Sequence, residues 1–242
     1  GILFAIPISF FAGYALEYLV IRHLYKRDHM EQVLATFGLI LFFNEAIRVG
    51  FGPAALHSNL PASLSGFVYI LPEIPYPEFR LLVILVGFAC AIGIHLLVSR
   101  TRLGATVRAG ASNAAMTAAL GVNITRLRRL VFAIGACFAG VAGMMLGPLT
   151  SVEPGMGEPL LILSLVVIII GGIGSVRGAF IAAIIVGMVD TMGRVMLPVI
   201  LRSFMEQASA DGAGPALASM MVYILMAVVL VFKPTGLFPP NR

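Results

Sequence analysis

The chain has 242 residues, of which 60% are hydrophobic and only 11% charged, and it carries a formal net charge of +5. A soluble domain of this length cannot enclose so much apolar surface, so the composition excludes a water-soluble globular fold and points to an integral membrane protein. The apolar runs are continuous and lack the alternation of barrel strands, so the expected fold is all-α: a polytopic transmembrane bundle forming one domain over residues 1–242.

Seven spans are expected. The first covers Gly1 to Ile21 around Glu17, which lies one turn before Arg22 and reads as an interfacial residue. The chain opens inside this apolar run with no basic stretch ahead of it, so a segment upstream of Gly1 is expected to be missing. The second span, Val33 to Phe51, carries Glu45 and Arg48 at i,i+3 spacing, close enough to meet on one helix face. An external loop over 52–79 follows, rich in proline, with an apolar piece from Phe67 to Leu71 that is too short to cross. It reads as an external cap or a half-inserted loop. Leu81 to Ser99 is the third span, with Cys90 and His95 as core residues.

Residues 99–129 form the largest internal loop. Ser112 or Asn113 is placed to N-cap a short alanine-rich helix containing Ala118 and Ala119, which Gly121 ends; Arg108 precedes it. Such a compact helix between two spans either docks into a groove on a cytoplasmic partner or is an ordinary connection. The fourth span, Leu130 to Val152, repeats Gly135, Ala139, Gly143 and Gly147 every four residues, a row that lets another backbone approach closely. Ala179, Ala183 and Gly187 repeat the pattern, so these two spans are expected to form a close pair, unless both rows serve general packing. Cys137 reads as a packing residue.

The fifth span, Pro159 to Val176, runs into a break containing Gly171, Gly172, Gly174, Ser175 and Gly178. Lipid tolerates non-helical backbone only where protein or a water-filled cavity satisfies its N–H and C=O groups. The break is therefore a transport pathway or a mechanical joint, with Ser175 as a local hydrogen-bond donor, or a simple structural turn. The sixth span, Gly178 to Leu201, holds Asp190 and Arg194 at i,i+4 spacing. Glu45 and Asp190 either line a polar path or form ion pairs that pin helix depth. A second external connection, Pro198 to Pro215, is expected to contain a short interfacial helix over Glu206 to Ala210, before the last span, Gly212 to Phe232.

Laid down in order, these spans put 12 of the 16 lysines and arginines on one side, in 22–29, 99–129, 171–177 and 233–242. That bias makes this side cytoplasmic, with the C-terminus inside and Gly1 outside. The same distribution argues against nucleic acid as a partner, because the basic residues flank spans and have no aromatic interleaving. The two lysines, Lys26 and Lys233, have no glycine before them, so there is no phosphate-cradling loop and no ATP hydrolysis by this chain. No metal-ligand or serine-hydrolase spacing is present either, so no cofactor, metal or catalytic residue is expected.

Three blocks carry a resemblance to a known family. They are LGPLTSVEPGMGE over Leu146–Glu158, VVIIIGGIGSVRGAF over Val166–Phe180, and YILMAVVLVFKPTGLF over Tyr223–Phe238. Together with TRLGATVRA from Thr101 and LEYLVIR from Leu16, they resemble the permease subunits of bacterial branched-chain amino acid ABC importers. The resemblance covers nearly the whole chain. It implies a multi-pass protein of the bacterial inner membrane and a second permease subunit, identical or sister, completing the pathway. It also implies ABC ATPase subunits that use the ATP, and a periplasmic substrate-binding protein that delivers leucine, isoleucine or valine. Family members carry a further N-terminal span upstream of the position of Gly1. A permease for urea, amides or another small polar solute is an alternative of the same class. A stand-alone ion-coupled carrier using Glu45 and Asp190 is an alternative of another class.

Overall fold

A computed structural model describes residues 2–25, 27–56, 65–71, 74–203 and 207–238. The chain forms two compact units, Gly1–Met156 and Gly157–Arg242. The first opens on α1 (Ile2–Leu16), which passes through one π-helical turn (Glu17–Ile21) into α2 (Arg22–Leu24). It continues with α3 (His29–Phe51), a hairpin of β1 (Phe67–Leu71) and β2 (Ile74–Pro77), α4 (Glu78–Arg100), α5 (Arg102–Ser112), α6 (Ala114–Ala119) and α7 (Ile124–Leu146). The second unit contains α8 (Gly157–Gly171), α9 (Val176–Leu201) and α10 (Gln207–Phe232).

Helix is the form in which an isolated apolar segment satisfies its own backbone in lipid, and it dominates here for that reason. Six helical segments among the described residues are long and apolar enough to cross a bilayer: Phe4–Leu24, Met30–Phe51, Glu78–Arg100, Ile124–Leu146, Val176–Leu201 and Gly212–Phe232. The expected fifth span is shorter than the rest. α8 has 15 residues, about 22 Å at 1.5 Å per residue, against a hydrocarbon core of about 30 Å. Its apolar run is cut at Gly172, before the length is reached.

The proline-rich connection between α3 and α4 folds in part into an antiparallel hairpin with Phe67 opposite Pro77 and Val68 opposite Tyr76. Leu56 and Val152 exchange both backbone hydrogen bonds at 2.9 Å, which ties this connection to the one after α7. Charge had assigned both to the same side. Two boundaries differ from expectation at 198–215. Pro198 lies inside α9, and residues 207–210 are the first turn of α10 rather than a separate helix; Glu206 lies outside the described residues.

Small residues set the packing within each unit. α1 lies against α7 so closely that a side-chain carbon on Gly13 would strike Ala136, and one on Gly140 would strike Ser9. Lipid provides no hydrophobic drive between helices, so van der Waals contact of this kind is what holds them. In the second unit Gly178, Ala182, Val186 and Gly193 form the buried face of α9. Val166, Ile170, Ala182, Val186 and Val222 make its core.

Candidate functional site

The segment from Thr101 to Asn123 is built from successive caps. The Thr101 hydroxyl accepts a hydrogen bond from the Gly104 N–H at 3.1 Å, starting α5, and donates to the Leu97 carbonyl. At Gly104 a side chain would run into the Val98 and Leu97 carbonyls, so the corner from α4 to α5 closes only around glycine. Arg108 donates to the Val98 carbonyl, satisfying an end group of α4 that its own helix leaves open. Of the two expected caps it is Asn113 that starts α6, its Oδ1 accepting from the Met116 N–H at 2.9 Å. Ser112 instead ends α5, donating to the Ala109 carbonyl at 2.9 Å.

Gly121 ends α6 as expected, with φ of 90°, a conformation open to glycine and costly for other residues. Asn123 then caps α7 by accepting from the Arg126 N–H at 3.0 Å. Each such cap stabilises its helix by about 1 kcal/mol. The product is a firmly anchored short helix whose tip shows Ala118 and Ala119 and two apolar side chains in the open, Met116 at 63% and Leu120 at 78% exposure.

The glycine block is a tied joint between α8 and α9. Gly172 and Gly174 have φ of 100° and 90°, which turns the chain back on itself. Ser175 caps α9 by accepting from the Gly178 N–H at 3.0 Å; the donor role expected for it is thus corrected to that of an acceptor. A side chain on Gly178 would strike the Gly171 carbonyl, and one on Gly171 would reach the Ala179 N at 2.6 Å. The tail after α10 folds onto the same place. Leu237 N–H donates to the Ile170 carbonyl at 2.8 Å and Phe238 N–H to the Gly171 carbonyl at 3.2 Å. Gly236, with φ of 85°, leaves no room for a side chain, which would come within 2.5 Å of the Gly172 backbone.

The charged pairs in the spans separate into two kinds. Arg48 lies 3.8 Å from Glu45 and Arg194 lies 2.9 Å from Asp190, each on its own helix and each with an exposed guanidinium. Glu17 is different. It is fully buried, and its Oε2 accepts from Arg129 Nε of α7 at 2.8 Å. Arg129 also donates to the Tyr14 hydroxyl at 3.1 Å and lies over the rings of Tyr14 and Tyr18. Among the described residues no group donates to Glu17 Oε1, which is also buried. Tyr25, just past the first span, is stacked on by Arg128 of α7 at 4.9 Å, and burial, with the Glu17 carboxylate adding to it, pushes the Tyr25 phenol above its ordinary pKa while Arg128 opposes the rise.

The glycine rows are placed as follows. Ala139 is exposed, and among the described residues no neighbour lies within 4 Å of a side chain built on Gly135 or Gly143. Gly147 is buried, 3.1 Å from Val152 Cγ2 by the same measure. Ala183 and Gly187 are exposed within the second unit, beside the buried 178, 182 and 186 row, and Ala179 is partly buried. Three features escaped the sequence reading: the Glu17 to Arg129 pair, the Thr101 to Gly104 corner and the tail clasp. The last two had a local signal, a threonine three residues before a glycine at a span end, and a Pro-Thr-Gly turn after the last span.

Multiple apolar spans, a capped connecting segment between two of them and a tied helix break define a polytopic helical membrane protein. The chain belongs to the family described as the permease component of branched-chain amino acid transport systems, whose sequence pattern matches residues 1–230. It is 28% identical to the high-affinity branched-chain amino acid transport permease BraD of Pseudomonas aeruginosa, over 93% of this chain and 69% of that one. The probable branched-chain amino acid permease LivH of Methanocaldococcus jannaschii is 26% identical over 96% of this chain and 73% of its own. LivH of Escherichia coli K12 is 23% identical, covering 98% and 73%. No solved structure gives a significant match.

Proposed function

We propose that the chain is the membrane-spanning permease of an ATP-binding-cassette importer for leucine, isoleucine and valine. A binding protein on the outer side delivers the solute, a second permease subunit completes the path, and separate ATPase subunits supply the energy. The chain itself binds no cofactor. Membership of the permease family supports the class, and the names of BraD and LivH support the solute.

The observation that carries the ATPase-driven reading is α6 with its anchorage. Two exposed apolar side chains, Met116 and Leu120, stand among small alanines, which suits insertion into a groove. Arg108 and Thr101 bind the same segment back to α4, and Gly121 turns it directly into α7. A push on α6 therefore reaches two spans. Alternation between facings requires that the ATPase bind the two states of this segment differently, because equal affinity shifts nothing. On this reading the α6 side and the C-terminus are cytoplasmic, and the glycine break is a joint. The rows at Gly135, Ala139, Gly143 and Gly147 and at Ala179, Ala183 and Gly187 serve as packing faces between spans.

The arginines beside Glu45 and Asp190 weigh against an ion-coupled carrier, since each carboxylate already has a counter-charge on its own helix. The deciding experiment is affinity purification of the tagged full-length permease from its membrane, paired with uptake of labelled leucine in competition with valine, isoleucine and urea. Recovery of an ATPase and a second permease, with competition by the branched-chain amino acids alone, is the expected result. Vectorial uptake by the purified chain without any ATPase overturns the mechanism, and competition by urea overturns the solute.

A further inference from the structure

A groove of about 560 Å³ lies in the first unit between α5, the start of α6 and the first turns of α7. Its lining includes the apolar side chains of Val107, Leu127, Val131 and Phe132, together with Tyr25 and Arg128. Gly110 and Ala111 border it as well, and their small size keeps it open. The volume falls in the range of small-molecule sites.

The position of this groove selects its occupant. Tyr25 follows the span that ends at Leu24, and α7 begins its span at Ile124, so the groove lies where two membrane helices end and reaches two turns into one of them. A water-soluble protein reaches the rim of such a site but not the wall formed by Val131 and Phe132. The charge is equally selective. Arg128 is exposed, held by stacking on Tyr25, and among the described residues it has no carboxylate partner. A guanidinium matches a phosphate through two parallel hydrogen bonds, and tyrosine favours the level of the lipid head groups.

We propose that this groove seats one anionic phospholipid, with its phosphate on Arg128 and the Tyr25 hydroxyl and an acyl chain against Val131 and Phe132. Basic pockets between spans take anionic head groups in this manner. The bound lipid fills the space between α5 and α7 and so stiffens the segment that carries α6. This assignment is independent of which solute the permease moves.

These 242 residues contain no tryptophan, so a Val131→Trp substitution in the full-length protein, with any tryptophan outside them replaced by phenylalanine, gives a reporter inside the groove, and Leu85→Trp, at an exposed mid-span position of α4, reports on bulk lipid. Each variant is placed in phosphatidylcholine vesicles containing either brominated phosphatidylglycerol or brominated phosphatidylcholine as quencher. The Val131→Trp probe is expected to be quenched roughly fivefold more effectively by the anionic lipid, the Leu85→Trp probe equally by both. Adding Arg128→Gln should remove the preference at Val131→Trp, and Arg128→Lys should keep part of it. Equal quenching at both sites, a preference that survives Arg128→Gln, or a Val131→Trp probe that neither lipid reaches would each overturn the proposal, the last by showing that protein occupies the groove.

Discussion

Gly178→Ala adds one methyl group, and the structure fixes where it goes. A side-chain carbon at this position strikes the Gly171 carbonyl, lies 2.9 Å from Gly171 C and 3.0 Å from Ser175 Oγ. Two of these three atoms are backbone, which cannot swing aside as a flexible side chain can, so the overpacking cost falls near the upper end of its range, about 3 kcal/mol. Moving Gly171 also loosens the bond that its carbonyl accepts from Phe238 N–H, worth about 1 kcal/mol. The better helix propensity of alanine offsets about 1 kcal/mol. The net destabilisation is about 3 kcal/mol, or a fall in Tm of roughly 6–12 °C for a chain of this size. Gly93→Ala is the matched control, because no atom lies within 4 Å of its added carbon and only the propensity gain of up to about 1 kcal/mol remains. The assay is the midpoint of heat-induced loss of the monodisperse peak, for full-length protein in mild detergent. A Gly178→Ala variant as stable as Gly93→Ala would mean that α8 and α9 do not meet through these two glycines, and the joint described above would be wrong.

Three further outcomes follow from the same geometry. Arg108→Glu and Gly121→Pro should each leave insertion intact but abolish stimulation of the ATPase by solute and binding protein; proline cannot adopt the φ of 90° found at Gly121, and normal uptake in both variants would refute the docking assignment. For the buried pair, Glu17→Leu and Arg129→Leu should each lower Tm, while the double variant should lose less than the two single losses combined, because a broken pair strands a charge and a removed pair does not. Simple additivity of the losses in that cycle would contradict the contact. Asp190→Asn should leave ATP-driven leucine uptake unchanged at any imposed proton gradient, since a residue paired along its own helix carries no coupling proton; uptake that follows the gradient and is lost in this variant would restore the ion-coupled alternative.

What could be read from the sequence depended on how local the cause was. The cap of α6 was legible to within two residues, Ser112 or Asn113, and its end at Gly121 was legible as well, because caps and helix ends are decided by a few consecutive residues; the structure selects Asn113. The pairs Glu45 with Arg48 and Asp190 with Arg194 were legible for the same reason, being one helical turn apart. Glu17 was not. Its nearest cation along the chain is Arg22, which suggested an interfacial residue, yet its partner is Arg129, more than 100 positions away and supplied only when α1 lies along α7. The face that meets α1 was also not legible. Every fourth residue from Gly135 makes a convincing row, but the face turned to α1 is the one bearing Ala133, Ala136 and Gly140, since choosing among several small-residue rows needs knowledge of the neighbour. For the tail clasp the sequence signals only a turn at Pro234-Thr-Gly236, because Gly172 and Gly236 explain each other only in contact.

These long-range contacts bear on how a push at α6 could be carried further. Arg108 and Thr101 fix the start of the segment to the end of α4, and Asn123 fixes its end to α7. Arg129 sits one and a half turns into α7 and grips Glu17 within the π-helical turn that follows α1. Such turns recur at functional positions, because the extra residue can shift without unwinding the helix. A displacement of α6 thus has a continuous route of packed and hydrogen-bonded atoms to α4, α7 and α1. At the end of that route stands the π-helical turn Glu17–Ile21, which α7 reaches through the Arg129 to Glu17 pair.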